Sequence, residues 1–278
     1  MDKLFIVEGI PGSGKTTFAK ALADQIQTNG DEVHLYVEGD LHPADMAWSA
    51  LLTVGEYNLL CTSYPDLVGE LERNKTVWKQ YVIIAYTKIH NLEEKLFHYF
   101  ESKEIYDART DATLFCNIHK DRWKQFGLDA TGIAIFECAL LQNSINELLL
   151  FHCMEEEAVT DYIRHLVDAV KRLNPVIIYL EVDTKAAIER AARERLDSNG
   201  KRVWEHGITQ YIENSPYGRK YGLHDIDGMY QYFETRKQLE LRILDKLPIE
   251  THCISIDVTR QSEVVVKAIE ELCHNNRV

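Results

Sequence analysis

Nine residues near the start of the chain, Gly9-Ile10-Pro11-Gly12-Ser13-Gly14-Lys15-Thr16-Thr17, match the spacing G-x-x-x-x-G-K-[ST]. The chemistry open to such a stretch is the grip of a polyphosphate. Gly9, Gly12 and Gly14 let the backbone turn tightly and bring its N–H groups against phosphate oxygens with no Cβ in the way. A helix starting near Lys15 adds the positive end of its dipole. Lys15 then reaches the β- and γ-phosphates, and the Thr16 hydroxyl is placed to hold Mg²⁺. The flanks agree with the motif. Leu4-Phe5-Ile6-Val7 reads as a buried strand, and Phe18, Ala19, Leu22 and Ile26 recur at helical spacing. Such a loop binds a nucleoside triphosphate, so the open question is the use to which the bound nucleotide is put.

Further chemistry-bearing residues lie at the ends of other apolar runs. Gly132-Ile133-Ala134-Ile135-Phe136 closes on Glu137, the position of a carboxylate that orients Mg²⁺ or its water; the competing role is a helix cap. Glu38 and Asp40 come after a second run, Glu32–Val37, and compete for the role of base toward an attacking hydroxyl. The competing role of either is to cap the start of the insertion, a role open to Asp45 as well. His42 and Trp48 are candidates to line the acceptor pocket. Cations crowd one region of an otherwise acidic chain: Arg190, Arg193, Arg195, Lys201 and Arg202, then Arg219 and Lys220. A mobile segment of this kind, spanning 190–222, neutralises charge on a transferring phosphoryl group while excluding water. Helical spacing favours Arg190 with Arg193 or Arg195; the bland reading is a solvated face with pairs such as Glu189 and Arg193.

The elements that must position these residues alternate strand and helix. The first helix stops at Asn29-Gly30, and strand two is 32–37. Strand signals resume at 132–137, 176–182 and 253–257, with helices over 155–173, 184–196, 226–247 and 261–273. Asp183 or Thr184 is the expected cap of the helix after the fourth strand. Alternation implies parallel pairing, a doubly wound sheet, and ligands at the carboxyl ends of its strands. Between them, 45–128 reads as a helical insertion rich in Tyr and Trp; Val77, Tyr81, Ile84, Ile89, Leu92, Leu96 and Tyr99 match helical spacing over 76–100.

Composition narrows the partners. The chain has 278 residues, 31 basic against 44 acidic, for a net charge of −13, which argues against a nucleic acid polymer. Six cysteines show no metal-ligand spacing and are expected to be reduced thiols. No signal peptide is recognisable before the first strand and no apolar run approaches a membrane span, so a soluble cytoplasmic protein without a membrane partner is expected. The apolar stripe at 159–170 serves either the core, the favoured reading, or the face of a homodimer.

This order of parts resembles the nucleoside and nucleotide kinase group of P-loop proteins, such as thymidylate kinases and deoxynucleoside kinases. The resemblance implies an α/β, three-layer P-loop NTPase sandwich: one domain over 1–278 with a five-stranded, mostly parallel sheet and a large helical insertion on the substrate-binding side. It also implies ATP and Mg²⁺ as cofactors, with the adenine against the loop after the last strand, here Asp257-Val258-Thr259. Two departures bear on the acceptor. The family's Glu-Pro and Trp after strand two correspond to Glu38-Gly39-Asp40, His42-Pro43 and Trp48. Its carboxylate-Arg pair after strand three is Glu137-Cys138, with Gln142 and Asn143 just beyond, which offer neutral hydrogen bonding. A neutral hydroxyl-bearing acceptor therefore stands level with a nucleoside monophosphate. The expected activity is ATP- and Mg²⁺-dependent transfer to a small acceptor; the alternatives are an NTPase switch and a nucleotide-binding regulator. A guanine-type Asn-Lys-x-Asp loop is missing, since Asn74-Lys75 lacks the Asp.

Overall fold

The computed structural model describes residues 2–256 and 261–276, and the expected adenine contact at Thr259 lies outside them. The chain divides into two bodies, Met1–Val37 with Gly127–Val278, and Glu38–Phe126.

In the first body β1 (Lys3–Glu8) is buried along its whole length, as a strand covered on both faces must be, and runs into the glycine loop and α1 (Lys15–Thr28). Asn29 and Gly30, the latter at φ 96°, end α1 as expected. The strand β2 (Val33–Tyr36) comes next.

The second body then intervenes. It is not all helical: β3 (Ser49–Thr53), α2 (Val54–Ser63), α3 (Val68–Arg73), β4 (Lys75–Trp78), β5 (Tyr81–Ala85), α4 (Glu94–Glu101) and α5 (Ala112–Asp129) include an antiparallel sheet ordered β3-β5-β4. The helix expected over 76–100 is thus corrected to a hairpin and a short helix. Lys79 at φ 51° turns the chain between Trp78 and Tyr81, which pair across the strands with rings stacked 6.0 Å apart. The run Val82-Ile83-Ile84 is β-branched and packs better on a pleated sheet than along a helix. This body has its own apolar core, in which Leu52, Tyr57, Ile84, Tyr86, Leu96 and Phe100 are buried together.

Back in the first body come β6 (Ile133–Glu137), the short α6 (Gln142–Ile145) with a π-helical turn at Asn146–Phe151, α7 (Glu156–Ala169) and β7 (Val176–Glu181). After them come α8 (Thr184–Glu194), α9 (Val203–Glu213), α10 (Pro216–Tyr221), α11 (Asp225–Lys246), β8 (Glu250–Ser255) and α12 (Gln261–Asn276). The sheet order is β2-β6-β1-β7-β8 and every pairing is parallel. One face, through Phe5, Val7, Ile135 and Ile178, packs against α1 and α12. The other receives α11 through a bond from Tyr179 Oη to Glu240 at 2.6 Å, and α11 in turn meets α7 through Arg242 and Glu156 at 2.8 Å. The expected three-layer α/β sandwich with a five-stranded parallel sheet is therefore the observed one.

Register sets the site. Val7 stands opposite Glu137 on β6 and opposite Ile178 on β7, so the loops leaving β1, β6 and β7 emerge at one end of the sheet. β1 lies between β6 and β7, the point at which connections turn to opposite sides and leave a crevice.

Candidate functional site

The glycine loop is shaped by what lies behind it. Gly12 has φ +78°, and a Cβ there would stand 1.9 Å from the carbonyl oxygen of Ala187 on α8. Only glycine permits that approach. Lys15, the first residue of α1, is buried and donates from Nζ to the Ile10 carbonyl at 3.1 Å. Ser13 Oγ is buried, with no hydrogen-bond partner among the described residues.

The Thr16 hydroxyl donates to Glu137 Oε1 at 3.0 Å, and Cys138 Sγ lies 3.2 Å from the same oxygen. Cys138 takes φ +67° and returns its N–H to the Val7 carbonyl at 3.1 Å, so the chain turns sharply just after the carboxylate. The Thr16–Glu137 pair fits Mg²⁺: both donors are hard oxygens, and adjacent ligands of an octahedral ion bound at 2.0–2.1 Å stand about 3 Å apart. Among the described residues no cluster of three His, Cys, Asp or Glu side chains is able to hold a metal, so the other ligands of such an ion would be water and phosphate oxygens.

The arginines separate by position. Arg190, one turn beyond Ala187, donates to the Gly12 carbonyl and lies 3.9 Å from Glu194. Arg193 is exposed and donates to the Glu189 carbonyl of its own helix at 3.2 Å. Arg195 sits over the Trp204 ring at 4.8 Å. Arg202 pairs with Glu189 at 3.1 Å and Glu205 at 2.9 Å, and Arg219 donates to the Asn214 carbonyl. Of the arginines expected to act together, Arg190 meets the loop; Arg193 lies off the face of α8 that carries Ala187, and Arg195, just past the end of α8, turns to Trp204.

Sequence reasoning missed a buried polar network directly behind the loop. Glu8, fully buried, accepts the N–H groups of Leu140 at 2.7 Å, Leu141 at 2.9 Å and Gln142 at 3.2 Å. Its carboxyl stands at about 7: burial raises it most, the three N–H groups pull it down, and the charge of Glu240 adds to the rise. The candidate acceptor contact Gln142 is itself buried, with its N–H spent on Glu8. Arg236 on α11 is 1% exposed and donates to Glu240 at 2.7 Å and Asn146 at 3.2 Å, while Tyr179 and Tyr232 donate to Glu240 and Asn146. A carboxylate inside an apolar strand was the readable signal for Glu8. Arg236 gave none, since helical spacing alone does not show which charge turns inward.

The second body holds Glu38, Asp40, His42 and Trp48. Glu38 is exposed, and Asp40 pairs with Lys88 at 3.3 Å. Trp48, at φ 58°, is 47% exposed and lies against Gly39. His42 is buried, its Nδ1 accepting the N–H groups of Ala44 at 3.1 Å and Asp45 at 2.7 Å. Burial, with the charges of Arg122 and His119, holds His42 well below the usual histidine range, so it is a neutral group organising a turn. Arg122 donates to the carbonyls of His42 at 2.6 Å and Asp45 at 3.3 Å, and Asp45 accepts from Tyr106 at 2.6 Å. His119 accepts the Trp123 indole N–H at 2.8 Å, and burial pushes it down to about 3.

Neither a protein-family model nor a curated protein sequence matches this chain. Among solved structures it is similar to shikimate kinase from Bacteroides thetaiotaomicron at 10% identity, with 99% of each chain covered and a TM-score of 0.42. It is also similar to thymidylate kinase from Ehrlichia chaffeensis at 14% identity, 97% of each chain and a TM-score of 0.43. Among the described residues no helix is long and apolar enough to cross a membrane.

Proposed function

We propose that this protein is an ATP- and Mg²⁺-dependent kinase that phosphorylates a small acceptor bearing a hydroxyl or phosphate group. The observation that carries the reading is the Thr16 hydroxyl 3.0 Å from Glu137 Oε1 at the first turn of the helix that Lys15 begins. In this reading Lys15 leaves the Ile10 carbonyl for the β- and γ-phosphates, and Arg190 leaves the Gly12 carbonyl for the transferring group. Thr16 and Glu137 would hold Mg²⁺, which would supply charge neutralisation on the phosphate oxygens. A bond forms between the acceptor oxygen and the γ-phosphorus while the bond to the bridging oxygen breaks, releasing ADP. The acceptor proton passes to a carboxylate, assigned by its place after β2 to Glu38 or Asp40. The protein's part is positioning and preorganised charge. The net charge of −13 favours a small acceptor over a nucleic acid.

The test is ADP formation with Mg²⁺ against nucleosides, nucleoside monophosphates and hydroxylated metabolites, with Lys15→Ala as the blank. Acceptor-dependent ADP that vanishes in Lys15→Ala is the expected result. Turnover independent of any acceptor would overturn the kinase reading in favour of an NTPase switch, and nucleotide binding with no turnover would favour a regulator.

A further inference from the structure

Three carbonyls of the glycine loop each face a cationic side chain. Ile10 O accepts from Lys15, Gly12 O from Arg190, and Gly9 O lies 3.5 Å from Arg236 Nη2. A loop that turns its N–H groups toward a phosphate turns its carbonyls back into the protein, where each needs a donor. The three cations differ in one respect. Lys15 and Arg190 each meet the loop at one carbonyl and, in the proposed function, exchange it for a phosphate oxygen. Arg236 has no such freedom. It is 1% exposed, bonded to Glu240 at 2.7 Å and Asn146 at 3.2 Å, with its guanidinium 5.7 Å from the centre of the Phe233 ring. Glu240 is held in turn by Tyr179 at 2.6 Å and Asn146 by Tyr232 at 2.7 Å.

Such a pair is a poor device for stability alone. Two charges taken out of water lose their hydration, and well-packed apolar residues of equal volume often serve as well or better. A guanidinium fork held on two sides has a use that an apolar side chain lacks: it fixes a third acceptor in place. Gly9 is that acceptor, at φ +144°, where a Cβ would stand 2.8 Å from the Leu180 carbonyl oxygen.

We infer that Arg236 is a positioning residue for the phosphate site, a fixed anchor that holds the Gly9 peptide so that the loop's N–H groups face a bound phosphate before it arrives. The residue touches no phosphate and acts through Gly9. The inference rests on the nucleotide-binding part of the proposed function, and its test is built to separate the two. Equilibrium dialysis measures the Kd for Mg-ADP in the full-length protein, alongside Arg236→Lys, the pair Arg236→Met with Glu240→Gln, and Lys15→Ala. The double variant leaves no buried charge unpaired, and Arg236→Lys keeps the charge while losing the fork, so folded protein is available to read. Circular dichroism and melting establish the folded fraction.

The expected result is a Kd raised tenfold or more in the double variant, with Arg236→Lys between it and the parent. Where turnover is measured, KM for the nucleotide rises while kcat at saturation stays within about twofold, whereas Lys15→Ala loses kcat as well. Folded variants that melt earlier and yet bind Mg-ADP with the parent's Kd would overturn the inference and leave the nucleotide site standing. A parent protein that binds no Mg-ADP would remove the nucleotide site, and the anchor with it.

Discussion

Replacing Glu8 by Gln removes a titration that the fold itself creates. The carboxyl has an ordinary value of 4.5 and stands at about 7 in the folded chain, so between those values the folded form holds a proton that the unfolded chain releases. Stability from this source is complete below about pH 4.5 and is lost as the pH rises through about 7. With 1.36 kcal/mol per unit, the two values give a loss of about 2.5 kcal/mol between about pH 5 and about pH 8. At roughly 2–4 °C per kcal/mol for a body of this size, that is about 5–10 °C in Tm. Glu8→Gln does not titrate, so subtracting its melting curve from the parent's isolates the Glu8 contribution. The subtraction matters because His42 and His119, both held below the usual histidine range, act with the opposite sign and lose stability as the pH falls. Gln offers a single acceptor oxygen to three N–H groups, so its absolute stability is set aside and only the change with pH is read. The assay is thermal melting of both proteins across this range. A difference in Tm that stays constant to within about 1 °C would refute the reasoning: Glu8 would then be ionised in the folded chain throughout, its three N–H partners outweighing burial.

Gly12→Ala puts a methyl group where the Ala187 carbonyl oxygen stands 1.9 Å away and forces φ +78° on a side chain, so the loop or α8 must shift. Nucleotide binding by equilibrium dialysis is expected to weaken at least 100-fold, and affinity within twofold of the parent would count against this placement of α8. Glu137→Gln replaces a hard anionic ligand by an amide, so the Mg²⁺ concentration giving half-maximal ADP formation is expected to rise tenfold or more. An unchanged Mg²⁺ titration would remove Glu137 from the metal's ligands. Trp123→Ala empties a fully buried site and strips His119 of its donor, at a cost of about 3–5 kcal/mol. Limited proteolysis of the native protein is expected to show faster cleavage within 38–126, and an unchanged digestion rate would contradict it.

The sequence alone determined the glycine loop, because each part of it is a local requirement. Glycines are needed where the chain doubles back, a strand must precede and a helix must come after, and Asn-Gly stops that helix within a turn. It also determined the parallel sheet, since β1, β6 and β7 are covered on both faces and read as unbroken apolar runs. The pairing of Glu137 with Thr16 was legible for the same reason: a carboxylate ending such a run sits at the end of the sheet where ligands bind. The hairpin of the second body was not legible, because Val77, Tyr81 and Ile84 satisfy helical spacing while the choice against it is made by cross-strand packing of Trp78 on Tyr81 and by the turn at Lys79. The roles of the arginines were likewise decided in tertiary structure. Arg190 and Arg193 are three residues apart on one helix, yet one reaches Gly12 and the other its own helix, a difference set by the angle at which α8 meets the loop. Arg236 and Glu240 look in sequence like a solvated i,i+4 pair. Only the burial of α11 behind β1 and β7 makes them the polar core of the site, because desolvation depends on what covers a charge and no local pattern records that.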